Sequence, residues 1–471
     1  MPVHVLRLLL ILCLLLPAPR LLLGQELSDT LRVDVMTAIR LALEVSPEVD
    51  AVAADLDYAR ARTSLARASR FATEFNLQTA HAVAPGLRIP ADNTHPTDEL
   101  YLNPDVRNDW ENISLLNRFE IELIQPIYTW GQLSGSIRAA RYGVNVEEAA
   151  VHEKEIEVAL RTGELYYGLL LAEALSRLTG EAGDIVEQAK SEIRRLLDEG
   201  AEDVDDADLF QVLITEQEFR SRVIEVTQQL QTVRSTLERQ LFLPDESVVV
   251  PAESVLDPVP FALDSLDAYQ QLALENRPEI GRAMAGLEAR KAQVTVARSD
   301  YYPKLFLGAQ SRVTLTKGRY RQPSPYISDD YRGRSFRAGL GLRLPLNFGQ
   351  TRAKVEQAEA QHNEVRHQLR AAQQLVLFQV EEAYRNLIIA RASMEAQEEA
   401  LRISREWLRT EQINFDLDLG DTENLVRAVQ TSLELEASYY DRVRKYNVGV
   451  LRLLAAIGTL VTRAETGTLV D

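Results

Sequence analysis

Apolar and charged residues alternate from Phe119 through Glu120, Ile121 and Glu122 to Leu123, the period of a strand with one apolar and one wet face. Pro126 to Gln132 (Pro-Ile-Tyr-Thr-Trp-Gly-Gln) ends the alternation, and from Leu133 no proline occurs for more than 100 residues. Ala, Leu, Glu, Arg and Gln dominate there, so the pattern predicts a strand over 117–126, a sharp joint and one long helix over 133–197. At 1.5 Å per residue, roughly 64 helical residues reach about 96 Å, far beyond the usual globular helix of about 11 residues.

The same stretch recurs. Phe336, Ala338, Leu340, Leu342 and Leu344 alternate through a strand over 335–346, Pro345-Leu346-Asn347-Phe348-Gly349-Gln350 repeats the joint with one residue deleted, and a second long helix is predicted over 350–415. Upstream, Ser46-Pro47-Glu48-Val49 matches Arg277-Pro278-Glu279-Ile280, and Ala66-Arg67 matches Ala297-Arg298. Downstream, Glu164-Leu165-Tyr166 matches Glu382-Ala383-Tyr384. A long duplicated unit therefore organises the chain.

Each unit reads helix, hairpin, long helix, shorter helix. The first spans 25–243: a helix over 35–70, a strand over 71–83, a polar loop over 85–117, the strand and long helix above, and a helix over 209–241. Pro244, Pro251, Pro258 and Pro260 make 244–264 an extended linker. The second unit, 265–458, has a helix over 266–300, strands over 304–315 and 335–346, the long helix and a helix over 424–457; 459–471 reads as a tail. The two short helices of a unit together match its long helix in length, so they are expected to stack end to end beside it.

Composition narrows the class. The net charge of the 471 residues is −18, which argues against nucleic acid and against anionic headgroups as partners. Residues 1–24 read as an export signal: Arg7 precedes the apolar run Leu8–Leu16, Pro17 and Pro19 break it, and Gly24 offers a small residue for cleavage. The only cysteine, Cys13, lies inside that run rather than at its end, which argues against lipidation, and its removal would leave no thiol chemistry. No later apolar stretch is long enough for a transmembrane helix, which needs about 20 residues.

Strands of about 10 residues do fit a bilayer. Their second face carries Arg118, Glu120, Glu122, Arg312, Arg337 and Arg343, which in a membrane barrel would line the lumen while Phe119, Ile121, Leu123, Leu340, Leu342 and Leu344 face lipid. Four strands cannot close a barrel, and open edges cannot lie in hydrocarbon, so the barrel would have to be shared between chains.

The duplicated order, the two proline-led helix restarts, the lead-in Ala297-Arg298-Ser299-Asp300-Tyr301-Tyr302-Pro303-Lys304-Leu305, the two joints and the turn after Phe415 together resemble the TolC-like outer-membrane efflux proteins over nearly all of the chain beyond the signal. The resemblance implies a mainly helical protein with membrane β-structure. Three chains would share a 12-stranded barrel and a long helical periplasmic tunnel in the outer membrane, as the exit duct of an export system with a periplasmic adaptor and an inner-membrane pump. It implies adaptor contacts at the tip turns, near Gly200, Leu209, Gly420 and Leu425. In the family, two aspartates three residues apart narrow the tunnel entrance; counted from Phe415 those positions hold Asn424 and Arg427, while the first repeat keeps Asp208. The family's turn glycine position holds Asp418, with Gly420 nearby, so the gate electrostatics are expected to differ. Acids crowd both turns: seven lie in 198–208, including Asp205, and four in 416–423, including Asp421. Arg427 is expected to pair across helices with Asp205 or Asp208 and hold the entrance shut.

Other chemistry finds little footing. His362 and His367 are five apart and on different helix faces, the acidic turn lacks calcium-loop spacing, and no nucleophile elbow or phosphate loop appears, so no cofactor, metal or catalytic residue is expected. Export of small molecules such as drugs or metals is the favoured reading. Protein secretion through the same kind of duct is the alternative, and a pore-less periplasmic coiled-coil scaffold is the alternative of another class.

Overall fold

A computed structural model describes residues 30–71, 74–89, 105–199, 206–244, 247–319, 328–417 and 422–469. The export-signal reading at 1–24 falls outside them. The first repeat begins with strand β1 (Thr30–Val33) and continues with helices α1 (Val35–Val45) and α2 (Pro47–Ala68), strands β2 (Glu74–Arg88) and β3 (Arg107–Tyr128), and helices α3 (Gln132–Glu199) and α4 (Asp206–Gln240). Strand β4 (Val248–Pro251) leads to the second repeat: α5 (Leu266–Asn276), α6 (Pro278–Arg298), β5 (Lys304–Thr316), β6 (Gly333–Arg343), α7 (Phe348–Asp416), α8 (Thr422–Ala456) and a closing helix α9 (Leu460–Thr466). The duplication is metrical: the long helices have 68 and 69 residues, and the helices that follow them have 35 each.

The restarts show how like sequences are held differently. Ser46 ends α1 and caps α2, its Oγ accepting from Val49 N–H at 3.4 Å, with Pro47 in the first turn where its missing donor goes unneeded. Arg277 holds the matching place but makes no cap bond. Its guanidinium instead donates to Glu279, to Gln379 of α7 at 2.8 Å, and to the Ala455 and Ala456 carbonyls at the end of α8. The helices expected over 35–70 and 266–300 are thus each two helices, broken at Ser46 and Arg277.

Each long helix runs beside two shorter ones laid end to end. Along α3, Glu148 and Arg161 meet Arg60 and Glu48 of α2, and farther on Glu173 and Lys190 meet Arg234 and Glu216 of α4. Along α7, Glu359 and Gln379 meet Arg298 and Arg277 of the α6 segment, and then Gln397 and Arg405 meet Leu435 and Glu436 of α8. The main core lies where these pairs cross at mid-length, around Ile39, Leu169, Leu237, Leu256, Leu387, Leu451, Leu454 and Leu460. Each such side chain contributes about 1.5–3 kcal/mol by leaving water. A Cβ on Gly163 would run into the end of the Leu451 side chain, which marks a close helix approach there. Tyr166 is buried in this core, its hydroxyl against the Val33 carbonyl and the Glu253 carboxylate; burial first, and Glu253 second, push that hydroxyl's pKa far up.

Four differences from the sequence reading have physical causes. The linker 244–264 is pinned rather than free: β4 pairs in parallel with β1, and Asn447 binds Val259 N–H and the Asp257 carbonyl at 2.9 Å each. The tail contains α9, which buries Leu460 and Ala464. The first hairpin expected over 71–83 and 117–126 is longer, because after a bulge at Pro85/Gly86 the ladder resumes through Gly86–Asp109, Leu87–Asn108 and Arg88–Arg107. The last strand, expected over 335–346, stops at Arg343, two residues before a proline that has no donor to give.

Candidate functional site

The hairpins form one antiparallel sheet in the order β2-β3-β5-β6. Alternation and register sort its side chains onto two faces. One face aligns Phe75, Leu123 and Ala309; Leu77, Ile121 and Ser311; Thr79, Phe119 and Val313; then Leu307 with Leu340 and Leu305 with Leu342. Phe336 and Leu342 on this face are 73% and 70% exposed, so among the described residues nothing packs over them. The structure thus brings Phe119, Ile121, Leu123, Leu340 and Leu342 onto one apolar surface, while Leu344 follows the end of β6 and is also exposed.

The opposite face is polar. Glu120 accepts from Arg312 Nε and Nη2 at 3.0 and 3.1 Å and from Gln310 at 2.5 Å. Asn76, Gln78, Glu122, Arg337 and Arg343 share it. Phe306 also lies there, its ring filling the space that a side chain on Gly341 would need, with the Arg343 guanidinium 5.4 Å above the ring. This is the two-faced pattern of a transmembrane β-barrel, yet β2 and β6 each end the sheet with an unpaired edge. Among the described residues no single helix is long and apolar enough to cross a membrane.

Two features here escape sequence reading. At the foot of the sheet Trp130 takes a left-handed φ of 51°, rare for an aromatic residue. Its indole N–H donates to the Pro303 carbonyl at 2.8 Å, its ring stacks on Tyr302 at 4.8 Å and meets Tyr128 edge-on at 4.9 Å. These contacts hold the strained turn in place. Gly131 follows with φ 93°, whereas Gly349 of the other joint lies inside α7 without a left-handed angle. At the outer end Arg319 is buried and ties the two hairpins together. It donates to Asp329, to the Pro85 and Gly86 carbonyls at 2.7 and 3.1 Å, and to Asn108 at 2.9 Å. The aromatics of the joint are visible in the sequence, but their left-handed turn is not; nothing local marks Arg319.

At the far end of the long helices, Gly200, Asp205, Asp418, Gly420 and Asp421 fall outside the described residues. Asp208 and Leu209 lie in the first turn of α4, and Asn424, Leu425 and Arg427 near the start of α8. Arg427 donates to Glu423, one turn earlier on its own helix, at 2.6 Å. The i, i+4 spacing brings that carboxylate to Arg427 with no loop to order; the expected partner Asp205 lies outside the described residues.

A sheet apolar on one face and polar on the other, set on helices of this length, is the arrangement of a membrane β-sheet carried on a long helical body. Residues 269–459 match the family described as outer membrane efflux protein. The chain is 32% identical over 221 residues to protein CyaE of Bordetella pertussis, covering 44% of this chain and 43% of that protein. It is 28% identical over 190 residues to the pyoverdine export outer membrane protein OpmQ of Pseudomonas aeruginosa, covering 39% and 36%. It therefore spans less than half the length of these curated relatives in the matched regions. In fold it is similar to the Neisseria gonorrhoeae MtrE outer membrane channel, with TM-score 0.70 and 14% identity over 90% of this chain and 89% of that one. The second repeat carries an outer membrane efflux protein domain, and the described chain has the TolC-like channel fold. It is a protein of the outer membrane.

Proposed function

We propose that three copies of this chain form one duct that exports small molecules across the outer membrane, fed by an inner-membrane pump through a periplasmic adaptor. The observation that carries the reading is the open four-stranded sheet, apolar on one face and unpaired at β2 and β6. Strand direction alternates across it, so β6 of one copy can meet β2 of the next in antiparallel pairing, and three copies close a ring without an edge. The helices carry matching uncovered apolar residues: Leu375, Phe378 and Ile389 on α7, and Tyr58 and Leu65 on α2 with Phe210 and Ile214 on α4. A relative named for pyoverdine export supports a small-molecule cargo.

The entrance is assigned to the acidic turns, with Asp205, Asp208, Asp418 and Asp421 drawing cations, Asn424 and the Glu423-tied Arg427 beside them, and Gly200, Leu209, Gly420 and Leu425 meeting the adaptor. The test is the mass of the detergent-purified protein and its conductance in planar bilayers. A trimer that conducts is expected, with Asp208→Asn less cation-selective and Arg427→Ala opening more often. A monomer without conductance would overturn the reading.

A further inference from the structure

Resting on the shared-barrel reading, the geometry points to an anion-binding ring inside the barrel, built from Arg337 of each copy, that accepts exported solutes bearing carboxylate or phosphate groups. Arg337 projects from the polar face of β6, opposite Gln310 of β5, and is exposed. It makes no hydrogen bond or ion pair among the described residues. The acids on its own sheet are out of play. Glu120 is taken up by Arg312 and Gln310, and Glu122 lies opposite Gln310 on the far side of β5. Two strand spacings put Glu122 roughly 10 Å from the β6 backbone.

The other side of β6 faces the neighbouring copy. The polar face of β2 that would lie there reads Glu74, Asn76, Gln78, Ala80, Ala82 and Ala84. Its one acid sits at the periplasmic end, level with Arg343 at the matching end of β6 and six residues from Arg337, about 20 Å along a strand. Arg343 thus has a carboxylate within reach at the seam; Arg337 has none on either side. The chain from Tyr331 to Gln350 contains arginines at 332, 334, 337 and 343 and no acid, so the strand itself supplies no counter-charge. Three guanidiniums at one level of the shared lumen add positive potential there, and their planar fork suits carboxylate and phosphate oxygens. This site is opposite in sign to the acidic entrance, which places cation attraction and anion selection at different ends of one duct.

The experiment uses the purified full-length protein in planar bilayers, with reversal potentials in a KCl gradient and block by pyrophosphate added from the outer side. Pyrophosphate should block the parent. Arg337→Glu should weaken that block at least tenfold and shift the reversal potential toward cations; Arg337→Gln should do so by less; Arg337→Lys should keep the reversal potential and lose part of the block. Asp208→Asn should leave the block unchanged. Channels that conduct normally but respond alike in the parent, Arg337→Gln and Arg337→Glu would overturn the anion site and leave the duct standing. A parent without conductance would overturn both.

Discussion

Leu342 and Arg337 stand five residues apart on β6 and point to opposite faces of the sheet. A charge on the lipid face of a barrel costs about 2–4 kcal/mol near the midplane, whereas the lumen face tolerates exchange. Leu342→Arg is therefore expected to lower the amount of assembled protein recovered from membranes, and Arg337→Leu to leave it unchanged; equal recovery would count against the barrel. Arg319 gives a second case. Its fork satisfies Asp329, two backbone carbonyls and Asn108 at once, so Arg319→Ala strands a largely buried carboxylate and Arg319→Lys cannot span the set. Both variants should speed proteolytic cutting at the outer ends of the hairpins, with the rest of the chain still protected. The alternation that places Leu342 is written in adjacent residues and could be read directly. The bonds of Arg319 reach across 234 residues of sequence to Pro85, and no local pattern announces them. Arg427 shows the local case, with a carboxylate partner, Glu423, four residues away on its own helix.

Among the elements, α3 and α4 are clamped in their outer half by Lys190, which meets Glu187 at 2.5 Å and Glu216 at 3.3 Å. Its hydrogen bond to Lys190 holds Glu216 below the ordinary value of 4.5 despite opposing desolvation. The folded chain thus binds this proton less tightly than the unfolded one. The clamp contributes above that ordinary value and is lost as pH falls through the depressed one. Below pH ~4, exchange of backbone amides in α4 should accelerate relative to α8, and Lys190→Met should remove the pH dependence; the same profile in both proteins would refute it. The helices themselves were legible because period, missing proline and capping agree over long runs. The linker was not, because four prolines say only that it is extended. What pins it is Asn447, whose side chain supplies the bonds that a prolyl chain cannot find within itself, and β1, far away in sequence.

For the whole molecule, duplication decided most of what could be read: two copies of one order left little choice of fold. In the proposed trimer the closure of the sheet would depend on surfaces that other copies supply, so one chain shows β2 and β6 as unpaired edges. Conductance and mass measurements on the intact assembly belong to this scale, because neither selectivity nor closure is a property of a single protomer.

The equal helix lengths, 68 with 35 residues in one repeat and 69 with 35 in the other, make the chain a gauge. In each repeat a long helix and the helix after it run side by side, so the reach of that pair cannot change in one helix alone. Removing seven residues from the outer halves of α3, α4, α7 and α8 together keeps side-chain register nearly intact and should shorten the reach by about 10 Å. Such a protein should still insert and conduct, yet fail to export in cells until the adaptor is lengthened to match. The same deletion in α3 alone should abolish assembly. On the proposed function, the chain would carry, in residues counted along its helices, a standard for the width of the compartment the duct crosses.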